Sequence, residues 1–337
     1  MNNPKLLVIQ VPAYNEEESL PAVLNEIPRS IPGVDRILIQ VIDDGSQDKT
    51  AEVALAHGAD YVVRHSFNQG LSRAFMTGIT HALKLGADII VNTDADNQYP
   101  GEQIPHIVEP ILNGNADMVV GDRQPGRNQH FSYYKRMLQV IGSWFVSYLS
   151  GNQIKDAASG FRAYSRYAAL RLQVFNEFSY TLETIIQSKR EHIKIVYVPI
   201  TTNPAIRPSR LHKGIFNFLY KQGGTIIRSI VLYRPIRTAI IIGSPFIFTG
   251  MFLIGRFMWV YLSGGSGIAR YVQSVSIGGT LLLFGFLIFV VGFLGDAIRT
   301  NMRMLQEVLI RLRNTDSKNP DQTFDSSEVL SRTSKEK

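Results

Sequence analysis

The chain has 337 residues, which is enough for one large domain or two ordinary ones. It contains no cysteine, and this excludes a disulfide framework, thiolate catalysis and cysteine-based zinc sites. The formal net charge of +7 favours an anionic partner, which can be nucleic acid, anionic lipid or an anionic substrate. Residues 6–11 are too short an apolar run for a signal peptide, so none is predicted.

Short apolar segments alternate with segments of helical length along the first 200 residues. Strands are predicted over residues 6–11, 37–42, 61–63, 118–120 and 195–200, and another begins at residue 89 and ends at Asp94. Helices are predicted to begin near Ser19, at Thr50 and after Asn68, and a further one covers residues 180–190. This alternation predicts right-handed βαβ units and a mostly parallel sheet.

Two carboxylates follow the apolar run at residues 89–91, and they are one residue apart at Asp94 and Asp96. Residues i and i+2 point to the same face of a strand, and parallel sheets bind ligands beyond the carboxyl ends of their strands. Mg²⁺ is usually held by one or two carboxylates together with substrate phosphates. The pair therefore indicates a metal site, although an ordinary polar turn is the alternative interpretation.

The polar segments all follow predicted strands, so they are expected to meet at one edge of the sheet. The first of them carries no Gly-x-Gly-x-x-Gly, and the chain has no Gly-x-x-x-x-Gly-Lys-Ser/Thr loop. A backbone cradle for phosphates is therefore not predicted. The phosphate charge of a nucleotide must instead be met by a metal ion and by cationic side chains.

Five of these segments carry a resemblance to a known family. In chain order they are Pro-Ala-Tyr-Asn-Glu at 12–16, Asp-Asp-Gly-Ser at 43–46, Asn-Gln-Gly at 68–70, Asp-Ala-Asp at 94–96 and Gly-Asp-Arg at 121–123. They resemble the ordered motifs of family 2 glycosyltransferases with the GT-A fold. The similarity is closest to the branch of dolichyl-phosphate mannose synthases and other polyprenyl-phosphate glycosyltransferases, and it covers residues 5–213.

The resemblance implies a role for each matching residue. Asp94 and Asp96 would bind Mg²⁺ or Mn²⁺, and the catalytic residues would be Asp96, Arg123 and Asp156. The nucleotide-sugar would be bound by Pro12, Tyr14, Glu16, Asp44, Asp94, Ala95, Gln98, Arg123, Arg207 and Arg210. The acceptor phosphate would be bound by Lys135, Arg136, Ser159 and Arg162.

Several of these positions have a simpler interpretation. Residues 131–150 read as an amphipathic helix, and its Lys135 and Arg136 are equally well explained as solvated cations of a packed helix. The Pro-stiffened segment 203–213 resembles a loop that closes over the diphosphate, with Arg207 and Arg210 as clamps. Attraction of the same arginines to anionic headgroups is the alternative. Glu183 either lines the cleft or has a surface role.

The second half of the chain is predicted to lie on and in a membrane. Four segments are expected: a GT-A catalytic domain (1–210), juxtamembrane interfacial helices (211–235), a transmembrane hairpin (236–298) and a basic stretch with a disordered tail (299–337). Residues 238–262 and 272–295 exceed the roughly 20 apolar residues that a spanning helix needs. Arg256 lies inside the first span, where it must snorkel or pair.

Arginines flank the hairpin on one side. Those before and after it are Arg228, Arg234, Arg237, Arg299, Arg303, Arg311 and Arg313, whereas the link at 263–271 holds only Arg270. The positive-inside rule therefore places the catalytic domain and both termini in the cytoplasm.

These observations predict an integral membrane enzyme that moves a sugar from a UDP- or GDP-linked donor to a polyprenyl phosphate, with inversion at the anomeric carbon as the resemblance implies. A processive polysaccharide synthase is a rival, but neither Trp144 nor Trp259 lies in the Gln-x-x-Arg-Trp context of such enzymes. A catalytically inactive membrane scaffold is a second rival. Nucleic-acid binding is poorly supported, because the excess positive charge lies beside the spans. Homo-oligomerisation is left open.

Overall fold

The computed structural model describes residues 5–124, 154–174, 180–203, 235–263, 272–316 and 328–331. The chain forms two compact units. The first consists of Met1–Arg210 together with Leu309–Lys337, and the second is Leu211–Val308. The helix predicted over 131–150 and residues 211–234 of the predicted interfacial helices lie outside the described residues, as do Lys135, Arg136, Arg207 and Arg210.

The described part of the first unit is built on an eight-stranded sheet in the order β7-β5-β6-β4-β1-β2-β3-β8. The strands are β1 (Leu6–Ala13), β2 (Arg36–Asp43), β3 (Tyr61–Arg64), β4 (Ile89–Asn92), β5 (Met118–Asp122), β6 (Arg162–Ser165), β7 (Ile195–Pro199) and β8 (Glu328–Ser331). The mostly parallel sheet predicted from the sequence is confirmed, because β1 pairs in parallel with β2 and β4, β2 with β3, and β5 with β7. Strand β6 is antiparallel to β4 and β5, and β8 is antiparallel to β3.

Helices cover both faces of this sheet. They are α1 (Leu20–Glu26), α2 (Thr50–Ala56), α3 (Leu71–Lys84), α4 (Ile104–Leu112), α5 (Arg166–Arg171) and α6 (Tyr180–Arg190). Leu7 and Ile9 of β1 pack in one cluster with residues of α1, α2 and α4, whereas Val8 packs in a second cluster with residues of α3, α5 and α6. Strands buried on both faces read as continuous apolar runs, and this explains why β1, β2 and β4 were predictable.

Two long helices follow, α7 (Pro235–Leu262) in the second unit and α8 (Val272–Asp316), which belongs to the second unit as far as Val308. Both are long and apolar enough to cross a membrane, in agreement with the two predicted spans. Glycines let their backbones approach closely: a Cβ on Gly250 would lie 2.7 Å from the Gly278 carbonyl oxygen, and one on Gly285 would lie 3.1 Å from that of Gly243. This order of contacts makes α7 and α8 an antiparallel pair, with the small residues that membrane helices use for packing.

Helix α8 continues well past the predicted end of the second span at residue 295. Its 45 residues correspond to a length of about 68 Å at about 1.5 Å per residue. A hydrocarbon core of about 30 Å holds less than half of that length, so α8 extends beyond any bilayer that it crosses.

The sequence predicted a basic stretch and a disordered tail over 299–337, and the described residues of that range contain regular structure. Helix α8 ends at Asp316, and Glu328–Ser331 forms β8 on the edge of the sheet. Of the two apolar residues of β8, Leu330 packs against the first core cluster, whereas Val329 is 50% exposed. The outer edge of β3 offers backbone groups that no other strand pairs among the described residues, and hydrogen bonding to them stabilises β8. Sequence composition does not reveal this contribution.

Candidate active site

Polar segments follow β1, β2, β4 and β5, and these strands run in the same direction, so the segments lie at one edge of the sheet. The segments after β1 and β2 are tied together by reciprocal hydrogen bonds. The Asn15 amide donates to Ser46 Oγ and the Gln47 amide to Asn15 Oδ1, both at 2.9 Å, and the Glu16 amide donates to Thr50 Oγ1 at 2.9 Å. These bonds hold the loop that carries three of the predicted nucleoside contacts.

The three contacts predicted in the first loop differ in exposure. Pro12 is buried, Glu16 is partly exposed, and the ring of Tyr14 is 39% exposed. Asn15 follows Tyr14 in the left-handed region, with φ of 53°. The loop therefore turns sharply after Tyr14 and presents its aromatic ring to solvent at the edge of the sheet.

Asp44 is almost fully buried, and its carboxylate is engaged by the protein. Oδ1 lies 2.7 Å from His65 Nδ1 and accepts from the Gln69 amide at 2.9 Å, and Oδ2 accepts from the Gly70 amide at 2.8 Å. His65 Nε2 lies 3.0 Å from Thr77 Oγ1. Asp44 therefore fixes the start of α3, and a contact with a nucleoside would use the acceptor capacity that is left on Oδ2.

The carboxylate pair lies directly after β4, where the sequence placed it. Asp94 is partly exposed and Asp96 is exposed, whereas Ala95 between them is buried. Burial and repulsion from Asp96 raise the pKa of Asp94 to about 7, although Arg123 and Arg162 oppose the shift. The two carboxylates are thus close enough to repel each other, and a divalent cation between them would relieve that repulsion.

Within the described ranges, no group of three or more His, Cys, Asp and Glu side chains is placed to hold a metal ion. Two carboxylates alone leave most positions around a divalent cation to other oxygen ligands. This fits Mg²⁺ or Mn²⁺, because such ions retain waters and take oxygens from substrate phosphates. The loop is stabilised locally, since Asp96 Oδ1 accepts from the Gln98 amide at 3.1 Å.

Arg123 and Asp156 form a buried pair, and both were predicted as catalytic residues. The guanidinium donates from Nε to Asp156 Oδ2 at 2.7 Å and from Nη2 to Oδ1 at 2.8 Å, a bidentate arrangement. Burial would lower the pKa of Arg123, but Tyr99, Asp156 and Asp94 raise it above its ordinary value. Asp156 therefore orients a permanently charged arginine near the carboxylate pair.

The two acceptor-phosphate residues predicted from the described segment 159–162 need correction. Arg162 is fully buried, and its guanidinium donates to the carbonyl oxygens of Ala157, Ser159 and Thr181 and to Thr184 Oγ1. Ser159 is also fully buried. A phosphate needs accessible donors, so Arg162 serves instead to hold the 157–159 turn against α6.

A buried polar network that the sequence did not reveal lies behind Asp94. Asn92 of β4 accepts a hydrogen bond from Gln10 Nε2 at 2.8 Å and donates to the Gly160 carbonyl and to Tyr180 Oη, each at 3.0 Å. Gly160 lies against the carboxylate itself, since a Cβ on it would be 2.9 Å from both oxygens of Asp94. The only sequence signal was an asparagine in an otherwise apolar strand.

The segment that leads to Arg207 and Arg210 leaves the described structure beside the carboxylate loop. The Asn203 amide donates to the Gln98 carbonyl at 2.9 Å, and Asn203 Nδ2 donates to the Asn97 carbonyl at 3.0 Å. Asn203 was not predicted as a functional residue. Its position ties the start of the arginine-bearing segment to the residues that follow Asp96.

Known proteins resemble this chain in sequence and in fold. The UDP-N-acetylglucosamine–dolichyl-phosphate N-acetylglucosaminyltransferase of Methanococcus voltae is 30% identical over 222 residues, which are 59% of this chain and 86% of that protein. The undecaprenyl-phosphate mannosyltransferase of Micrococcus luteus is 29% identical over 201 residues, which are 57% of this chain and 81% of that protein.

Among solved structures, glucosyl-3-phosphoglycerate synthase from Mycobacterium tuberculosis, in complex with Mn²⁺, UDP and glucosyl-3-phosphoglycerate, matches with a TM-score of 0.52 at 21% identity. The match covers 67% of this chain and 79% of that one, and it confirms the GT-A-like fold. Residues 8–179, about half of the chain, match the glycosyl transferase family 2 domain. The motifs at the edge of the sheet therefore belong to a glycosyltransferase, and the chain is a member of glycosyl transferase family 2.

Proposed function

We propose that the chain is a membrane-bound, inverting glycosyltransferase that moves a sugar from a UDP- or GDP-linked donor to a polyprenyl phosphate. The observation that carries the proposal is the presence, in one family 2 chain, of the Asp94 and Asp96 carboxylates and of two antiparallel apolar helices. A lipid acceptor explains why a sugar-transfer domain is attached to such a hairpin. The names of the two relatives that were matched over most of their length support the same acceptor class.

The donor is proposed to bind along the edge formed by the loops after β1, β2 and β4. Tyr14 and Glu16 would face the nucleoside from a loop that is fixed by Asn15 and Ser46, and Gln98 would face the sugar. A divalent cation, Mg²⁺ or Mn²⁺, held by Asp94 and Asp96 would stabilise the charge of the departing nucleoside diphosphate. Support comes from the mutual repulsion of the two carboxylates, which a cation would relieve.

Arg123 is proposed to add fixed positive charge where negative charge develops on the diphosphate. Its bidentate bonds to Asp156 hold the guanidinium in one orientation, so no reorganisation is needed during the reaction. Arg207 and Arg210 are proposed as clamps on the same diphosphate. Support comes from Asn203, which precedes them in the chain and is hydrogen-bonded to the carboxylate loop.

The proposed nucleophile is an oxygen of the acceptor phosphate. A phosphomonoester has its second pKa near about 6, so it is largely ionised at neutral pH and requires no general base. Its oxygen forms a bond to the anomeric carbon while the bond from that carbon to the diphosphate oxygen breaks, and one such displacement inverts the configuration. Lys135 and Arg136 are proposed to hold the acceptor phosphate, whereas Arg162 acts only through the turn that it supports.

The proposed orientation places the catalytic unit and both termini in the cytoplasm. Strand β8 follows both candidate spans in the chain and yet pairs with β3 of the catalytic sheet. An even number of crossings returns a chain to the side from which it started. This pairing supports a two-span hairpin independently of the arginines that flank it.

The test is incubation of the purified protein, in detergent with Mn²⁺ or Mg²⁺, with a panel of UDP- and GDP-sugars and undecaprenyl phosphate. The proposal expects one donor to give a lipid whose mass has increased by one sugar. Asp94→Asn/Asp96→Asn is the matched control and should give no such product. Release of free sugar without a lipid product would point to hydrolysis, and a product with many sugars would point to a processive synthase.

A further inference from the structure

The outer edge of the sheet is closed by the C-terminal segment of the chain. Strand β8 pairs with β3 in a register that places Leu330 opposite Val62 and Glu328 opposite Arg64. Leu330 packs against the core, while Val329 is 50% exposed. An edge strand of only four residues, such as β3, gains order when its second side is also paired. The end of β3 therefore depends on a segment that comes after both candidate spans.

That end of β3 carries Arg64, whose guanidinium contacts the loop after β2. Its Nε lies 3.1 Å from Asp43 Oδ2, and its Nη2 donates to the Ser46 carbonyl at 3.1 Å. Asp43 is fully buried. Burying a carboxylate costs free energy unless a cation compensates its charge, so the position of Asp43 depends on the Arg64 guanidinium beside it.

The same contacts extend to the proposed donor site. Asp43 Oδ1 accepts from the Ser46 amide at 2.9 Å, and Ser46 Oγ accepts from the Asn15 amide at 2.9 Å. Asn15 follows Tyr14, the exposed aromatic residue of the first loop. A short series of contacts thus leads from the end of β3 through Asp43 and Ser46 to the loop that carries Tyr14.

We propose that Arg64 is a positioning residue of the donor site and that the C-terminal strand β8 holds it in place. Docking of the tail on β3 then strengthens nucleotide binding without touching the nucleotide. Strand β8 has only four residues, so single substitutions in it are suited to testing this contribution. The inference rests on the proposed function in one respect, namely that the loops after β1 and β2 bind the donor nucleotide.

The experiment uses the full-length protein in detergent and compares two substitutions on opposite sides of β8. Leu330→Asp places a charge against the core cluster on which Leu330 packs and should release the strand, whereas Val329→Asp changes the exposed side and is the matched control. Affinity for UDP and for GDP is measured by calorimetry with Mn²⁺, and hydrogen exchange is followed in β3 and in the segment around Ser46. For Leu330→Asp we expect faster exchange in both segments and nucleotide binding weaker by about fivefold or more, a usual size for coupling between sites.

Substitutions of Arg64 distinguish a role in positioning the donor-site loops from simple protection of the β3 edge by β8. Arg64→Gln should weaken nucleotide binding to the same extent while kcat at saturating donor changes little, and Arg64→Lys should recover part of the affinity because it retains the charge beside Asp43. The double variant Arg64→Gln/Leu330→Asp should be no worse than either single variant, since both act through one series of contacts.

Unchanged nucleotide affinity in Leu330→Asp, with β3 exchanging faster, would overturn the proposal and reduce β8 to a cover for the edge. Additive losses in the double variant would overturn it as well. If the wild-type protein binds neither UDP nor GDP, the donor assignment fails instead. Faster exchange around Ser46 in Leu330→Asp would then still support the link from β8 to Arg64, and unchanged exchange there would overturn it, because Arg64 bonds to the Ser46 carbonyl.

Discussion

Gly160→Ala adds one methyl group beside the Asp94 carboxylate and the Tyr180 hydroxyl. The Gly160 carbonyl accepts hydrogen bonds from Asn92 and Tyr180, so the backbone at this position is held from behind. A Cβ would lie 2.9 Å from each carboxylate oxygen of Asp94 and 2.9 Å from Tyr180 Oη. Gly160 does not have a left-handed φ, so alanine adds a steric conflict without backbone strain.

The size of the effect follows from these distances. Ordinary van der Waals contact begins at 3.4 Å, so the Asp94 carboxylate or the backbone must move by about 0.5 Å or more. Changes to residues that support a metal ligand usually cost about 10- to 100-fold in metal affinity or activity. We therefore expect kcat/KM to fall by about 10- to 100-fold, which corresponds to roughly 1.4–2.7 kcal/mol of transition-state stabilisation. Overpacking is expected to cost about 1–3 kcal/mol of stability.

Two readouts separate a displaced carboxylate from general damage. Mn²⁺ affinity in the presence of UDP or GDP should weaken together with kcat/KM, while circular dichroism and elution volume in detergent remain those of the wild type. Gly279→Ala in α8 is the matched control, because a Cβ there meets no heavy atom within 4 Å, and it should behave as the wild type. Wild-type activity and Mn²⁺ affinity in a folded Gly160→Ala protein would refute the placement of Gly160 against the metal site.

Three further predictions concern the carboxylate pair, a buried histidine and the membrane hairpin. Asp94→Asn and Asp96→Asn each remove an anionic ligand and should each abolish most transfer while the thermal unfolding profile is retained; full transfer by either variant in the presence of chelator would contradict the metal assignment. Burial, followed by the charge of a neighbouring lysine, lowers the pKa of His81 to about 4. Between pH 6.5 and 4 the unfolded chain therefore binds a proton at this position that the folded chain does not, so stability should fall with pH in that window. The denaturation midpoint of His81→Gln should fall less steeply, and equal slopes for the two proteins would count against this source of acid sensitivity. A topology reporter at Gly265 should face the non-cytoplasmic side and one after Asn314 the cytoplasm, and finding both on one side would exclude the two-span hairpin.

The sequence predicted the elements whose burial is visible in their own residues. β1, β2 and β4 lie between two helical layers and are therefore apolar throughout. β6 was missed because Arg162-Ala-Tyr-Ser carries polar residues, and its burial depends on its insertion between β4 and β5. β8 was missed for a related reason: its partner β3 is more than 260 residues earlier in the chain, and local composition does not encode that contact.

The candidate site was predictable to the level of motifs but not of roles. Asp94 and Asp96 were recognised from their position after a strand and Arg123 from the family resemblance, and they follow β4 and β5 at one edge of the sheet. Arg162 was misjudged because a cation in a motif suggests an anionic ligand, whereas here backbone carbonyls surround its guanidinium. Which cations face a cleft and which support a turn depends on the tertiary structure.

The measurement that tests the central proposal most directly is the partition of radiolabelled sugar from the nucleotide donor into organic solvent. The wild-type protein should convert the label to a lipid-soluble product when undecaprenyl phosphate is present and should fail to do so with undecaprenol, which lacks the phosphate nucleophile. Asp94→Asn/Asp96→Asn should leave the label in the aqueous phase in both cases. Label that becomes free sugar, enters long polymers or reaches the lipid phase equally well with undecaprenol would contradict transfer to a polyprenyl phosphate.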